Sequence, residues 1–246
     1  MMKRMIPKRR IGLMTPLAII DSSPYEFYCY APAGVLLELI ACGLREFSRE
    51  NAEQTLSHVD RFVDLLMERN VDLIQQSGVP PSLLVGLEAH DQLMRYISAR
   101  TGKPATSQIL NVVAASRNVG IRKIVAANRW ADKMNETLAE FFARGGIELV
   151  GVSSEVMPAG TIQKRTLQDG IDLAVTIGRR AFREYPRADG LYIGGSGWMA
   201  QPAVERLEAE FDKPVVANQN AAIWNTMHLV DYWTPVAGHG RVLGSA

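Results

Sequence analysis

The predicted fold centres on residues 71–86, which read VDLIQQSGVPPSLLVG. An apolar run typical of a strand breaks there at Ser77-Gly78 and gives way to a helical pattern. Residues 188–199, ADGLYIGGSGWM, follow the same plan of an apolar run and then small residues. In open α/β sheets, ligands bind outside the carboxyl ends of the strands, where free amides of the next helix favour an anion. The two stretches therefore predict one ligand site between two halves of the chain.

Short apolar runs alternate with amphipathic segments along the rest of the chain, which is typical of a mainly parallel sheet covered by helices. Strands are predicted at residues 11–14, 36–41, 71–75, 104–108, 120–127, 147–152, 191–193 and 214–217. Helices are predicted at residues 52–70, 88–100, 109–117, 131–144, 167–185, 203–211 and 220–229. Residues 21–32, which are rich in aromatic side chains, are predicted to form an irregular loop.

The composition is that of a globular protein with one large or two small α/β domains: 246 residues, 47% apolar and 22% charged. The formal net charge is +1 without a basic block, so neither a nucleic acid nor a membrane surface is an expected partner. No run of about 18 apolar residues predicts a membrane span, and no secretory signal is recognised. Cys29 and Cys42 form neither a disulfide framework nor a paired metal motif. We therefore expect a cytoplasmic protein.

Several short motifs lie in a particular order along nearly the whole chain. They are Ile11-Gly12-Leu13-Met14-Thr15-Pro16, the strand break at Gly78, Gly120-Ile121-Arg122-Lys123-Ile124, Asn135, Gly195-Ser196-Gly197, Pro214-Val215-Val216-Ala217-Asn218-Gln219, Trp224 and Gly238-His239-Gly240-Arg241. In this order and spacing they resemble the arylmalonate decarboxylase and maleate isomerase branch of the aspartate/glutamate racemase superfamily.

The resemblance implies an α/β fold of two Rossmann-like halves, each with a mainly parallel four- to five-stranded sheet, related by a pseudo-twofold axis. The first half would comprise residues 10–118 and 219–246 and the second residues 119–218, with the site at their interface. Members of this branch use no cofactor and no metal. They act on small carboxylates through a carbanion-like or enediolate intermediate, usually with one or two cysteines. A small carboxylate or related anion is therefore the expected partner, and a homo-oligomer is compatible with the resemblance.

The chain departs from this family at both cysteine positions. Matched motif to motif, the first position falls on Gly78 and the second on Gly195. A thiol can exchange a proton and act as a nucleophile, whereas glycine cannot. Neither two-thiol racemisation nor the covalent cysteine adduct of maleate isomerisation is therefore expected.

The residues predicted to bind substrate cluster around the same loops. Matched to the family, Trp130 occupies the position of a tyrosine that helps hold the substrate carboxylate. Unlike that tyrosine, the indole of Trp130 can only donate a hydrogen bond. Arg129 either binds a carboxylate bidentately or points to solvent. The other residues predicted to line the substrate site are Pro16, Pro80, Asn128, Trp198, Asn218 and Gln219. Asn218 and Gln219 could instead join the two halves or cap a helix.

Ser77 and Ser196 are the predicted catalytic side chains at the two turns. Their hydroxyls, with the amides of Gly78, Val79, Gly195 and Gly197, would form an oxyanion cradle for an enediolate or a tetrahedral anion. Alternatively, both serines only satisfy turn amides. Neither stands in the Gly-x-Ser-x-Gly elbow of a triad nucleophile.

A proton donor or acceptor is expected from the long loop after Pro16, because loops of that length are often functional. Tyr25 and Glu26 are the predicted catalytic candidates, together with Tyr28, although each tyrosine could instead be packed structurally. The histidines have no metal-ligand spacing and are expected at the surface or behind the site. They are His58, His90, His228 and His239. No metal site is predicted.

The leading hypothesis is a cofactor-independent lyase, in which a bond next to a carboxylate breaks heterolytically and the cradle holds the negative charge. A second hypothesis is a hydratase or hydrolase with a bound water in the vacated cysteine position. An isomerase of the maleate isomerase type and a non-catalytic binder of small anions are the remaining alternatives.

Overall fold

The strands form two parallel sheets. A computed structural model of the chain describes residues 6–157, 161, 164, 166–195 and 198–246. Within these residues, one four-stranded sheet has the order β2-β1-β3-β4, with β1 Arg9–Leu17, β2 Val35–Leu44, β3 Leu73–Gln76 and β4 Ala105–Ser107. The other has the order β6-β5-β7-β8, with β5 Lys123–Asn128, β6 Glu148–Ser154, β7 Gly190–Ile193 and β8 Val215–Ala217. The predicted α/β fold with mainly parallel four- to five-stranded sheets is confirmed.

Helices lie between successive strands, and two further helices follow the last strand. In the first part of the chain they are α1 Ser23–Tyr30, α2 Arg49–Leu56, α3 Val59–Glu68, α4 Val79–Val85, α5 Leu87–Thr101 and α6 Gln108–Asn118. In the second part they are α7 Asp132–Arg144, α8 Leu167–Glu184, α9 Gln201–Phe211, α10 Asn218–Leu229 and α11 Gly240–Gly244. Helix α8 begins with a capping box, in which Thr166 and Asp169 satisfy each other's backbone amides. Among the described residues, none of the helices combines the length and the hydropathy that a membrane span needs.

Strands β3 and β7 occupy equivalent places in their sheets, each between two parallel neighbours. Gln76 at the end of β3 pairs with Met14 of β1 and Ser107 of β4. Ile193 at the end of β7 pairs with strands β5 and β8 in the same way. Because the carboxyl ends of parallel strands lie at one edge of a sheet, the loops after β3 and β7 both leave from the edge where ligands bind.

One buried apolar cluster joins the two sheets. It contains Val79 and Ile109 from the first half and Trp130 and Tyr192 from the second. Trp224 of α10, which is also almost completely buried, belongs to the same cluster. The halves therefore share a packed core.

The prediction of an irregular loop at residues 21–32 is wrong, because residues 23–30 form helix α1. Pro24 lies in its first turn, where the missing N–H of proline costs no helical hydrogen bond. The helix buries Glu26 and Phe27, and Phe27 packs in a cluster with residues of β1 and α10. Tertiary packing therefore stabilises a short helix that its aromatic composition does not favour.

The prediction of one helix at residues 52–70 is also wrong, because α2 ends at Leu56 and α3 begins at Val59. The Ser57 hydroxyl donates a hydrogen bond to the carbonyl of Gln54, a local bond that competes with helix continuation. Strand β1 continues through Pro16 to Leu17, further than predicted. Its register shifts between Thr15 and Leu17, which is where a proline is tolerated in a strand.

Candidate active site

The turn after β3 is held from behind by the side chain of Gln76. Its amide nitrogen donates to the carbonyl of Ser77 and to that of Gly78, the latter at 3.0 Å. Its amide oxygen accepts a hydrogen bond of 2.8 Å from the Ser82 hydroxyl, so the buried carboxamide has partners on both sides. In a trans peptide, the carbonyl and the following N–H point in opposite directions. The N–H groups of Gly78 and Val79 therefore both point away from Gln76.

The backbone conformation at position 78 favours glycine. Its φ of +76° lies in the left-handed region, and an added Cβ would lie 2.9 Å from Pro16 Cγ. Neither the Gly78 amide nor the Val79 amide donates a hydrogen bond to another described residue. The turn at Gly78 thus carries two N–H donors that bind no other described residue.

The loop after β5 is fixed by a network of buried amides. The Asn128 side chain accepts a 3.0 Å hydrogen bond from the Trp130 amide and donates one of 2.7 Å to Asn135. Asn135 in turn donates to the Trp130 carbonyl at 3.2 Å. Trp130 is 4% exposed and lies in the same buried apolar cluster as Val79.

The loop after β7 brings Gly195 against two nitrogen donors. Gly195 has a φ of +132°, and an added Cβ would lie 2.5 Å from Trp198 Nε1 and 3.3 Å from Arg129 Nη2. Arg129 is only 9% exposed, and its guanidinium carbon lies 5.2 Å from the centre of the Trp198 ring. The sequence left open whether Arg129 binds a carboxylate or points to solvent. The second interpretation is wrong, because the side chain is buried. The predicted residues Ser196 and Gly197 lie outside the described residues.

Glu26 is the buried titratable group of helix α1. It is 5% exposed, and its carboxylate accepts a 2.9 Å hydrogen bond from the backbone N–H of Gln201, the first residue of α9. The pKa of Glu26 is raised to about 7, mainly by burial and to a smaller extent by the charge of Asp21, against the lowering effect of the Gln201 hydrogen bond. A carboxyl group with this pKa can give or take a proton near neutral pH.

Tyr25 and Tyr28, the two tyrosines of α1 that were predicted as catalytic candidates, differ from Glu26. Tyr25 is 62% exposed and thus lies at the surface, outside any enclosed site. Tyr28 accepts a hydrogen bond of 2.8 Å from the Leu37 amide of β2, which is a packing role. Of the predicted proton donors in residues 21–32, only Glu26 is buried.

Asn218 joins the two halves. Its carbonyl accepts a 2.7 Å hydrogen bond from the Gln108 side chain, and its side-chain oxygen accepts one of 2.8 Å from the Tyr192 hydroxyl. The capping interaction at this helix end comes from Asn220, whose side chain accepts from the Ala217 amide.

Gln219 is 9% exposed in the first turn of α10. Pro16 and Pro80 both lie at the turn after β3.

His90 was expected at the surface or behind the site, and it is 1% exposed. Its Nε2 lies 2.8 Å from the hydroxyl of Ser107, which caps α6, and burial lowers its pKa. His58 is exposed, as expected. Among the described residues, no group of three or more His, Cys, Asp and Glu side chains could hold a metal ion.

Sequence reasoning missed Gln76, which determines where the turn amides point. A signal was present, because Gln75 and Gln76 are polar residues at the end of an otherwise apolar strand. Fully buried amide side chains need hydrogen-bond partners, and loop carbonyls at a strand end are the nearest ones. Spacing alone does not specify which carbonyls they bind.

A small apolar cavity of about 30 Å³ borders the same turn. Its lining includes Pro16, Gln76 and Pro81 at the turn and Cys42 of β2, with residues of α2 and α3 closing the other side. Burial raises the pKa of the Cys42 thiol to about 12, so this thiol is not a nucleophile at neutral pH.

We expect iodoacetamide to modify Cys29 of the native protein and to leave Cys42 unmodified. Cys29 is exposed, whereas Cys42 is partly buried and stays in its unreactive thiol form. Peptide mass spectrometry after a short reaction at pH 7.5 measures both positions. As a control, both residues should react after denaturation. Equal labelling of the two thiols in the native protein would contradict the assignment.

The model of the arylmalonate decarboxylase family matches residues 11–243. The arylmalonate decarboxylase of Bordetella bronchiseptica is 25% identical over 205 residues, which cover 81% of this chain and 82% of that protein.

Solved structures with the same fold include arylmalonate decarboxylases and maleate isomerases. A liganded double mutant of arylmalonate decarboxylase has a TM-score of 0.83 at 21% identity, covering 96% of this chain and 98% of the other. The maleate isomerase of Pseudomonas putida with maleate has a TM-score of 0.83 at 16% identity, covering 97% and 98%. The maleate cis-trans isomerase of Nocardia farcinica bound to TRIS has a TM-score of 0.81 at 17% identity, covering 96% and 97%.

Proposed function

We propose that this chain, which belongs to the arylmalonate decarboxylase family, is a cofactor-independent lyase that acts on a small carboxylate through an enediolate-like intermediate. The family and its maleate isomerase relatives are enzymes, which favours catalysis over simple binding. The observation that carries the proposal is the pair of N–H groups at Gly78 and Val79, which Gln76 turns in one direction.

In the proposed reaction, the bond between the α-carbon and the departing carboxylate breaks and carbon dioxide leaves. The electron pair moves onto the remaining carboxylate and forms an enediolate, whose two oxygens carry more negative charge than they did in that carboxylate. The amides of Gly78 and Val79 would donate to one of these oxygens, and the buried turn keeps them in position without reorganisation. Donors that bind the intermediate more tightly than the substrate lower the barrier.

The α-carbon must then take up a proton, and Glu26 is the proposed donor. Helix α1 follows β1 and Pro16, and Glu26 contacts Gln201 immediately after the loop of Gly195 and Trp198. It therefore lies at the start of the helix that follows one candidate site loop. Its pKa of about 7 leaves a large protonated fraction at neutral pH, which a surface carboxyl group lacks.

The geometry favours this reaction over water attack in the vacated cysteine position. The side-chain atoms nearest to a Cβ at Gly195 belong to Trp198 and Arg129, and both side chains only donate hydrogen bonds. Neither can take a proton from a water molecule. Isomerisation through a cysteine adduct lacks its nucleophile, because glycine occupies both family cysteine positions.

The test is to incubate the purified protein with a panel of arylmalonates, alkylmalonates and maleate. Release of carbon dioxide and formation of the monocarboxylate, followed by NMR, are the expected results with at least one malonate. Heat-denatured protein is the control for spontaneous decarboxylation. An absence of carbon dioxide release and of isomerisation across the panel would contradict the proposal.

A further inference from the structure

A chain of buried hydrogen bonds leads from one sheet to the other. The Gln75 amide nitrogen donates to the side-chain oxygen of Gln108 at 3.3 Å, and the Gln108 amide nitrogen donates to the backbone carbonyl of Asn218 at 2.7 Å. The side-chain oxygen of Asn218 accepts a hydrogen bond of 2.8 Å from the Tyr192 hydroxyl. None of these residues is more than 5% exposed. We refer to Gln75, Gln108, Asn218 and Tyr192 as the polar bridge.

The two ends of the polar bridge lie directly behind the loops after β3 and β7. Gln75 is the next-to-last residue of β3, and it is followed by Gln76, which orients the turn amides. Tyr192 is the next-to-last residue of β7. Its ring lies against the loop that follows, because a Cβ added to Gly194 would be 3.0 Å from Tyr192 Cε1. The polar bridge therefore connects the strand that carries the proposed oxyanion donors to the equivalent strand of the other sheet.

The polar bridge restrains the two strands in a way that the apolar core does not. Val79 and Tyr192 belong to one apolar cluster, but the hydrophobic effect has no preferred direction. Hydrogen bonds weaken steeply when their distances and angles change. A buried amide or hydroxyl that loses its partner also destabilises the fold, because it cannot turn to water instead. The polar bridge therefore favours one position of β3 relative to β7.

This relative position matters because the proposed reaction uses groups that are held by different sheets. The Gly78 and Val79 amides follow β3 of the first sheet. The Glu26 carboxylate is bound by the Gln201 amide at the start of α9, which lies between β7 and β8 of the second sheet. A displacement of about 1 Å between reacting groups can lower a rate by about 10².

We propose that the polar bridge holds the turn after β3 in register with the second sheet, and that Gln75 and Tyr192 are positioning residues for the reaction. Neither side chain contacts the substrate in this proposal; both act through the Gly78 and Val79 amides. The effect on kcat rests on the proposed function, whereas the effect on the turn does not depend on turnover.

Tyr192→Phe tests the polar bridge at the end that is remote from the turn. Phenylalanine keeps the ring and its packing and removes only the hydroxyl. Heteronuclear NMR spectra of protein with isotope-labelled glycine and valine report on the Gly78 and Val79 amides. We expect both signals to shift in Tyr192→Phe and in Gln108→Met, which removes the central link at similar side-chain size.

Tyr232→Phe is the matched control. The Tyr232 hydroxyl donates to the carbonyl of Ala33, outside the polar bridge, so its loss should leave the two turn signals in place. Thermal melts establish which variants are folded, and either bridge variant suffices if the other does not fold. Turn signals that are unchanged in a folded bridge variant, or that shift equally in Tyr232→Phe, overturn the proposal.

Steady-state kinetics test the same role through the reaction. On an accepted malonate, Tyr192→Phe and Gln75→Met should each lower kcat by roughly 10- to 10²-fold and change KM by less than about threefold. The two side chains share no hydrogen bond, so independent effects would multiply in the double variant. A common bridge predicts instead that the double variant loses about as much as the more affected single variant.

The outcomes separate the polar bridge from the proposed function. Multiplying effects, or a kcat that both single variants retain, overturn the positioning role even if malonates are decarboxylated. If no malonate is turned over, the proposed function fails, and the NMR comparison by itself decides whether the polar bridge positions the turn.

Discussion

Glu26→Gln is expected to lower kcat on an accepted malonate by a factor of about 10² to 10⁴, the usual range for loss of a general acid. Glutamine keeps the size of the side chain and an oxygen that can accept the Gln201 N–H, but it cannot donate a titratable proton. In the wild-type protein, activity should fall as the pH rises through about 7, because the carboxyl then loses the proton that it donates. The variant should lack this dependence.

The matched control is Glu205→Gln. Glu205 lies one turn along α9 from Gln201, and its carboxylate bonds the His239 ring instead of the helix end. Steady-state kinetics between pH 5 and 9 compare the three proteins. Retention of wild-type kcat and of its pH profile by Glu26→Gln would exclude Glu26 as the proton donor.

The same carboxyl group links stability to pH. Its pKa is about 7 in the folded protein against an ordinary value of 4.5, so the folded form binds the proton more tightly. The contribution of Glu26 to the free energy of unfolding is therefore fully present below pH 4.5, and it is lost as the pH rises through about 7. A pKa difference of about 2.5 corresponds to about 3 kcal/mol of unfolding free energy and roughly 6–12 °C in Tm. Glu26→Gln should lack this loss in thermal melts from pH 4.5 to 8.

Val79→Pro is expected to lower kcat by about 10² to 10³, the cost of removing one oxyanion donor. Proline lacks the N–H, and its fixed φ suits the first residue of α4. The ψ of 132° at Gly78 suits a residue that precedes proline. Because the N–H donates to an oxygen whose charge develops during the reaction, kcat should change more than KM.

Val79→Ala separates the amide from the side chain. Val79 is 0% exposed, so both variants lose apolar packing, but only the proline variant loses the N–H. Thermal melts should show comparable folding, and steady-state kinetics on one malonate should distinguish the two. A proline variant within threefold of the alanine variant would remove the Val79 amide from the mechanism.

Sequence patterns were sufficient to predict the fold. They were not sufficient to predict in which direction the groups of the site point. Apolar runs of strand length depend only on local composition, and they located the strands of both sheets to within a few residues. Helix α1 was missed because the packing of Phe27 stabilises it, and this packing is not visible in a window of neighbouring residues. Spacing likewise identified Gly78 and Gly195 but not the direction of the groups around them.

The sequence by itself determined the α/β class, the family, the two turns and the absence of a thiol at Gly78 and Gly195, because these follow from residue identity and order. Only the tertiary structure decided which way the turn amides point, that Arg129 is buried against Trp198 and that Glu26 contacts the start of α9. The physical reason is distance along the chain. Glu26 and Gln201 are separated by 175 positions, so only folding brings the carboxylate to the amide and removes it from water.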